Sequence, residues 1–324
     1  MNHVQAVVAD IGGTNTRIGV VNDEQLQQSS IKHYSNIGFE NFETLLGMYC
    51  QEQGINRCDT ACIAVAAPVV DDNITLTNHN WCLTRRGLKD VTGAKNISFL
   101  NDFEALALSL DRVDPVNLMH LSKSSQHGVP EGTRLVVGAG TGFNSASVSI
   151  NKNSADLIVG VGETGHMTLP VETIMEFELR EYLARGRGRA SIERALSGAG
   201  LVEIYTWLCE RAGIQYHGLS AREISERAIV ETDGIFRKTA EILLRFFGRC
   251  VGDLALAFLS TGGVYLSGGV TRALKPLLDS ELFFKYFLAK GRQSSLLSGI
   301  PVYLIDDDAA ALAGCTAKAV SLSR

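Results

Sequence analysis

Residues 7–21, VVADIGGTNTRIGVV, constrain the fold more than any other stretch of the chain. Two runs rich in Val and Ile flank the polar turn Gly12-Gly13-Thr14-Asn15, a pattern that predicts two antiparallel strands joined by a hairpin. Asp10 stands at the end of the first strand, and the two glycines leave the backbone N–H groups of the turn open to an anion. An ordinary hairpin with a solvated carboxylate is the alternative that this stretch alone leaves open.

The same design returns at residues 134–150, RLVVGAGTGFNSASVSI, where an apolar strand, a Gly/Thr turn and an alternating strand follow one another. A third apolar strand, within residues 262–271, ends in the paired glycines Gly268 and Gly269. We interpret the first two hairpins as one architectural element used in two related halves of the chain. Their turns offer backbone N–H groups and hydroxyls to a polyphosphate, with two tight turns that bind no ligand as the alternative.

The composition sets the class of protein and excludes several partners. A chain of 324 residues, 45% of them hydrophobic and 20% charged, is long enough for two globular domains and a large core. Its net charge of −5 and the lack of a basic run argue against a nucleic-acid or membrane-surface partner. The seven cysteines show no zinc-type spacing, which predicts reduced thiols and a cytoplasmic protein.

The most apolar long segment, residues 241–260, is predicted to be an amphipathic helix packed on a core rather than a membrane span. Four charged residues recur at every fourth position and share one helical face: Glu241, Arg245, Arg249 and Asp253. Gly248 and Gly252 lie on the same helix and predict a close contact with a neighbouring element.

Three further segments carry groups able to bind or activate a substrate. Asn101-Asp102 marks a switch from an apolar strand to a helical pattern, where an active-site role competes with a plain helix-capping role for Asp102. Residues 162–166, GETGH, place Glu163 and His166 in a Gly-rich turn, and Glu193 begins a predicted helix. An amide, carboxylates and an imidazole near a phosphate-binding turn are the groups that hold a polyhydroxylated sugar.

Two familiar phosphate-binding patterns do not apply to this chain. No G-x-x-x-x-G-K-[ST] sequence is present. Residues 160–165, GVGETG, match the dinucleotide-binding spacing, but the residues that follow do not open a helix, so the match is attributed to chance.

The segments taken together resemble the bacterial glucokinase family over residues 5 to the C-terminus. They stand in the order and at the intervals of that family: Asp10-Ile-Gly-Gly-Thr-Asn, Thr77-Asn-His-Asn-Trp81, Leu100-Asn-Asp-Phe103, Gly138-Ala-Gly-Thr-Gly142, Gly162-Glu-Thr-Gly-His166, Leu196-Ser-Gly-Ala-Gly200 and Gly262-Gly-Val-Tyr-Leu-Ser-Gly-Gly269. The resemblance implies an α/β, two-domain actin-like ATPase/sugar-kinase (ribonuclease H-like) fold with the active site in the interdomain cleft. It assigns residues 1–109 plus 301–324 to a small domain and residues 110–300 to a large one.

The resemblance also implies an activity, ATP-dependent phosphorylation of the 6-hydroxyl of glucose, and a homodimer. Asp102 is expected to be the general base, and the glucose ligands are expected to be Asn101, Asp102, Glu163, His166 and Glu193. The expected nucleotide-binding residues are Asp10, Gly12, Gly13, Thr14, Asn15, Gly140, Thr141, Gly142, Gly268 and Gly269. Asp10 is expected to hold Mg²⁺ through water. The Cys-rich zinc motif of the repressor-kinase group is absent, which argues against a structural zinc.

Three stretches depart from the family pattern. Phe143-Asn144-Ser145 replaces a small, Gly-containing step, Thr164 replaces a common glycine, and residues 305–314 carry three consecutive acids. A kinase for another hexose or hexosamine, a non-catalytic sugar sensor and an actin-like ATPase are the alternatives. Because the expected ligands belong to both domains, glucose is expected to draw the domains together.

Overall fold

The first hairpin forms as predicted, within a chain whose computed structural model describes residues 2–69, 71–76, 81–122, 128–151, 153, 157–278 and 281–323. Up to Ser109 the elements are β1 (Asn2–Ile11), β2 (Asn15–Asn22), β3 (Gln25–Leu26), β4 (Lys32–Ser35), α1 (Phe42–Glu52), β5 (Ile55–Val65), β6 (Asn73–Thr75), β7 (Cys82–Thr84), α2 (Arg85–Thr92), β8 (Asn96–Asn101) and α3 (Asp102–Ser109). From Leu118 they are β9 (Leu118–His120), β10 (Arg134–Ala139), β11 (Phe143–Ile150), β12 (Leu157–Gly162), α4 (Ile174–Ala184), α5 (Ile192–Ala195), α6 (Gly198–Ala212), α7 (Ala221–Val230), α8 (Gly234–Ala257), β13 (Gly263–Ser267), α9 (Gly269–Ala273), α10 (Lys275–Leu278), α11 (Glu281–Phe287), α12 (Ser294–Ser298), β14 (Val302–Ile305) and α13 (Ala310–Ser323).

The chain divides into two compact units, one of residues up to Asp114 and from Asp307 onward, the other Pro115–Asp306. The C-terminal helix α13 packs in the first unit, against α3, β5 and β1. The strand β14 just before it belongs to the sheet of the second unit, where it pairs with β13 and β9. The chain therefore passes from one unit to the other between β14 and α13, a few residues beyond the boundary expected at residue 301.

The sheet of the first unit has the order β3-β2-β1-β5-β8, with β4 also paired to β2. β1 is antiparallel to β2 and parallel to β5, and β5 is parallel to β8. Ile11 pairs with Val65, and Val65 pairs with Asn101, so these three strands end at the same edge of the sheet. This register brings Asp10 and the Asn101-Asp102 step to one edge, the carboxyl edge at which α/β sheets bind ligands.

Both faces of this first sheet are covered by helices, as its central parallel strands require. Val7 and Ala9 face one apolar cluster, which includes residues of α1 and α2. Ala6 and Val8 face the other cluster, which includes residues of α3 and α13. Alternate residues of β1 face opposite sides of the sheet, and both sides are buried. The sequence of β1 is therefore one continuous apolar run.

The sheet of the second unit has the order β12-β11-β10-β13-β14-β9. β10 is antiparallel to β11 and parallel to β13, as β1 is to β2 and β5 in the first unit. Gly138 pairs with Ser267, so that the turn 140–142 and the glycines Gly268 and Gly269 follow neighbouring strand ends. The prediction of one hairpin element used twice is confirmed by this repeated pairing pattern.

The segment predicted as an amphipathic helix belongs to the 24-residue helix α8. An ideal Cβ at Gly248 or Gly252 would lie 2.4 Å from the carbonyl oxygen of Phe283 or 2.5 Å from that of Phe287, so the predicted close contact is made with α11. Within the part of the chain that the structure describes, no helix is long and apolar enough to cross a membrane.

Candidate active site

The turn between β1 and β2 lies at the carboxyl edge of the first sheet. Thr14 and Asn15 are exposed, and the N–H of Gly12 donates to the carbonyl oxygen of Asn15 across the turn at 3.0 Å. Asp10 at the strand end is 8% exposed, and its Oδ2 accepts a hydrogen bond from Nη1 of Arg17 at 3.2 Å. Burial raises the pKa of the Asp10 carboxyl, while the Arg17 charge opposes that shift.

Asn36 fixes the shape of this turn, a role that no sequence motif indicated. Its Nδ2 donates to the carbonyl oxygen of Gly12 at 2.9 Å, and its Oδ1 accepts from the Thr16 hydroxyl at 2.7 Å. Its backbone N–H donates to the carbonyl oxygen of Thr14, also at 2.9 Å. The residue is 3% exposed, so these bonds are made away from water and hold three positions around the turn.

Asn101, not Asp102, caps helix α3. The Asn101 Oδ1 accepts the N–H of Phe103 at 2.9 Å, and its Nδ2 donates to the carbonyl oxygen of Ala67 at 3.3 Å. Asp102 is the first residue of the helix, and its Oδ1 also accepts from Phe103 N–H, at 3.0 Å. The alternative that Asp102 stands there as the helix cap is therefore wrong, because its neighbour has the non-helical backbone and the capping bond.

The second turn, Gly140-Thr141-Gly142, joins β10 to β11 and lies next to the N-termini of α6 and α9. The Gly140 N–H donates to the Gly142 carbonyl oxygen at 2.8 Å, and the N–H of Gly198, the first residue of α6, donates to the Gly140 carbonyl oxygen at 2.8 Å. Gly268 has φ of 99°, and an ideal Cβ there would lie 2.3 Å from the carbonyl oxygen of Ala139. Glycine is required at this position both by the backbone conformation and by the close contact.

The three predicted sugar ligands of the second unit lie near one another. Glu163 and His166 are exposed on the loop that follows β12, and the His166 N–H donates to the Glu163 carbonyl oxygen at 3.1 Å. Glu193 lies in the first turn of α5, and its Oε2 accepts the N–H of Phe143 at 3.0 Å. An ideal Cβ at Gly165 would lie 3.4 Å from the Glu193 Cβ, so the loop and the carboxylate are neighbours.

Two of the three stretches that depart from the family pattern, Phe143-Asn144-Ser145 and Thr164, contact each other at this loop. Asn144 Oδ1 accepts hydrogen bonds from Ser145 N–H at 2.9 Å, Thr164 N–H at 3.0 Å and the Thr164 hydroxyl at 3.2 Å. The hydroxyls of Ser145 and Thr164 are 3.0 Å apart. The sequence flagged each of these residues as unusual but gave no sign that they are partners.

One predicted segment and the predicted metal site need separate mention. The segment Thr77–Asn80 of the resemblance lies outside the described residues. Among the residues that the structure does describe, no three His, Cys, Asp or Glu side chains gather in a group suited to a metal ion. Asp10 supplies a single carboxylate, a donor set that suits Mg²⁺ bound mainly through water and substrate phosphates.

Comparison with known proteins gives a consistent result at the level of sequence. A family model described as Glucokinase matches residues 7–322. A glucokinase of Chelativorans sp. (strain BNC1) is 33% identical over 318 residues, which cover 98% of this chain and 92% of that protein. A glucokinase of Tolumonas auensis is 31% identical over 311 residues, covering 96% of this chain and 95% of that protein.

Solved structures resemble the chain over nearly its whole length. The crystal structure of a glucokinase from an Antarctic psychrotroph matches with a TM-score of 0.81 at 26% identity, covering 98% of both chains. A glucokinase from Balamuthia mandrillaris, solved in complex with glucose, matches with a TM-score of 0.81 at 20% identity over 98% of this chain and 94% of that one. The second likeness concerns the fold alone.

Proposed function

The chain belongs to the glucokinase family of sugar-phosphorylating enzymes, and from that premise we propose that it transfers the γ-phosphoryl group of ATP to the 6-hydroxyl of glucose. The observation that carries the proposal is the position of Asp102. Asn101 occupies the N-cap of α3, so the carboxylate beside it at the carboxyl edge of the sheet is not required as the cap, although its Oδ1 also accepts the N–H of Phe103. A carboxylate there is suited to accept the hydroxyl proton as the sugar oxygen attacks phosphorus.

The sugar is held, in this proposal, by the five ligands named from the sequence. Glu163 and His166 are exposed and near Glu193, whose Oε2 is occupied by Phe143 N–H. A carboxylate has two oxygens, so one oxygen of Glu193 is oriented by the backbone while the other is available to a sugar hydroxyl. Asn101 contributes from the first unit together with Asp102, although both polar atoms of its amide already have protein partners.

The nucleotide phosphates are held, in this proposal, by the two Gly/Thr turns. The glycines of the turns 12–15 and 140–142, with Gly268 and Gly269, would let a phosphate approach the backbone without side chains in the way, although the N–H groups of Gly12 and Gly140 already bond within their own turns. Asp10 would hold Mg²⁺ through its water shell, because its carboxylate lies at the end of β1 next to the first turn. Mg²⁺ would offset the negative charge of the transferred phosphoryl group.

The proposal is tested by assaying the full chain with ATP and Mg²⁺ against a panel of hexoses and hexosamines, with sugar-dependent ADP release as the readout. Glucose is expected to give the highest kcat/KM, and the product is expected to carry the phosphate on its 6-oxygen. Phosphorylation of a hexosamine but not of glucose would replace the proposed substrate. Glucose binding without turnover would replace the enzyme with a sensor, and ATP hydrolysis indifferent to sugar would indicate an ATPase.

Two further parts of the proposal concern the state of the protein. The chain is proposed to be a cytoplasmic homodimer, as the family resemblance implies. Sedimentation of the purified chain at several concentrations checks the dimer, and a single monomeric species throughout that range would exclude it.

A further inference from the structure

One amide oxygen joins the second turn's strand to the loop that carries Glu163 and His166. Asn144 lies on β11, the strand that follows the turn 140–142, and Thr164 lies between the two predicted sugar ligands. The Asn144 Oδ1 accepts from both the N–H and the hydroxyl of Thr164, at 3.0 and 3.2 Å. Asn144 and Thr164 are each 8% exposed, so these bonds are made largely out of contact with water.

Ser145 completes this cluster, and one assignment of donors and acceptors accounts for all of its hydrogen bonds. If the Thr164 hydroxyl donates to Asn144, its oxygen is left to accept from the Ser145 hydroxyl 3.0 Å away. The Ser145 N–H donates to the same Asn144 oxygen at 2.9 Å, and Ser145 is 1% exposed. The N–H and hydroxyl of Ser145 and of Thr164 thus each have an acceptor inside the cluster, which is the kind of buried network that fixes one conformation.

Steric contacts beside the network leave the loop little room to move. An ideal Cβ at Gly165 would lie 2.0 Å from the carbonyl oxygen of Phe143, so the backbones of loop and strand touch directly. The N–H of Phe143, which belongs to the preceding peptide unit, donates to Glu193 Oε2. Residues 143–145 therefore contact both the loop 163–166 and the carboxylate of Glu193.

We propose that Asn144 is a positioning residue for the sugar: its side-chain oxygen holds Thr164, and through Thr164 it sets the positions of Glu163 and His166. This inference rests on the proposed function, since it assigns those two residues to sugar binding. In this proposal Asn144 acts on the sugar through Thr164. Loss of its oxygen leaves the Thr164 N–H and hydroxyl and the Ser145 N–H without a shared acceptor, and the loop is expected to shift to find water.

The decisive comparison is between Asn144→Leu and Asn144→Asp. Leu has the branched shape of Asn but no acceptor, whereas Asp keeps an acceptor oxygen for all three donors. For Asn144→Leu the KM for the sugar is expected to rise about tenfold or more, since small misplacements of binding groups carry large penalties. The KM for ATP at saturating sugar is expected to stay within about twofold, and Asn144→Asp is expected to keep the sugar KM near the wild-type value.

Thr164→Val provides a second, milder variant with a matched control. It removes the hydroxyl but keeps the Thr164 N–H bond to Asn144, so a smaller rise in the sugar KM is expected than for Asn144→Leu. Thr239→Val is the control, because Thr239 is a fully buried threonine of α8 whose hydroxyl donates to the Ile235 carbonyl oxygen, away from the loop. It is expected to leave both KM values unchanged.

Backbone hydrogen exchange without substrate separates this inference from the proposed function. Asn144→Leu is expected to speed exchange at Thr164 and through residues 163–168, while Asn144→Asp and Thr239→Val are not. If glucose is not the substrate, this readout still tests the network. Equal changes in the KM for sugar and for ATP, failure of Asp to restore the sugar KM, or unchanged exchange at Thr164 would each overturn the role of Asn144.

Discussion

The side chain of Asn36 makes hydrogen bonds on both sides of the first turn, to the carbonyl oxygen of Gly12 and from the hydroxyl of Thr16. The turn is rich in glycine, and a glycine backbone loses more conformational freedom on ordering than any other residue. An external amide that fixes the turn before nucleotide arrives removes that penalty from the binding step.

Asn36→Leu is therefore expected to raise the KM for ATP about tenfold, with a much smaller effect on the KM for the sugar. The variant keeps the side chain's branched shape and the backbone bond from residue 36 to the Thr14 carbonyl oxygen, so the path of the chain is conserved. Steady-state kinetics with each substrate varied in turn measures the two constants. A parallel rise in both would mean that Asn36 stabilises the first unit in general rather than the turn.

Asp102→Asn distinguishes a role of Asp102 as the general base from a role in stabilising the start of α3. If Asp102 is the general base, the amide cannot accept the proton at neutral pH, and turnover is expected to fall roughly 10²–10⁴-fold. Glu104→Gln is the matched control, since Glu104 is a half-buried acid in the same first helical turn. Both variants are expected to unfold near the wild-type temperature, because Asn101 supplies the cap.

A folded Asp102→Asn enzyme that keeps more than about a tenth of the normal rate would exclude Asp102 as the base, because the loss of turnover would be smaller than the lowest expected value. A similar loss in Glu104→Gln would point instead to the charge of the helix N-terminus as the common cause.

For the candidate site, the sequence predicted the residues proposed to bind substrate but not the residues that hold them in position. Asp10, the two turns and Asn101-Asp102 could be found because strand ends and glycines leave a local pattern. Asn36 and Asn144 act on residues distant in sequence, Thr164 being 20 positions from Asn144. Such a pair becomes visible only when the register of β11 and β12 is known.

For helix α8, the sequence pattern predicts the helix itself but not the elements that pack against it. The four-residue spacing of Glu241, Arg245, Arg249 and Asp253 correctly placed them on a helix, but their burial differs along that face: Asp253 is exposed, whereas Arg249 is buried. Arg249 is 3% exposed, and its guanidinium bonds both carboxylate oxygens of Glu176, each at 3.2 Å. Spacing fixes which residues share a face, while the identity of the opposing element depends on tertiary structure.

Arg249→Leu is expected to lower the free energy of unfolding by about 3–5 kcal/mol, because it leaves the buried carboxylate of Glu176 without its cation. Arg237→Leu on the same helix is the control: Arg237 and Glu241 form an i, i+4 pair at 3.4 Å with both side chains partly exposed. That change is expected to alter the free energy of unfolding by only about 0–1 kcal/mol. Urea unfolding of both variants measures the difference, and equal losses would contradict the burial argument.

Over the whole molecule, the two sheets repeat one plan. In each, an antiparallel pair is followed by two parallel neighbours, β2-β1-β5-β8 in the first unit and β11-β10-β13-β14 in the second. The sequence indicated this repetition through its two hairpins. It did not indicate where the chain leaves the second unit, because β14 and α13 read as one continuous strand–helix segment.

The proposed glucose ligands are drawn from both units, so glucose is expected to protect residues of both. Saturating glucose is expected to slow hydrogen exchange around Phe103 in the first unit and at residues 163–168 in the second. Mass spectrometry of peptides from both regions measures this, with peptides of α8 as an internal reference. Protection confined to one unit would exclude a ligand set drawn from both.

The shared acceptor at Asn144 also has a consequence for how this enzyme can be evolved. Three donors depend on one oxygen, so substitutions at positions 144 and 164 have non-additive effects, as expected for residues in direct contact. A scan of single substitutions is expected to record the removal of a donor or of the acceptor at these positions as a loss, even where a combined change restores a complete network. Altered sugar preference in this loop is therefore reached by libraries that vary both positions in the same gene, with Gly165 kept constant.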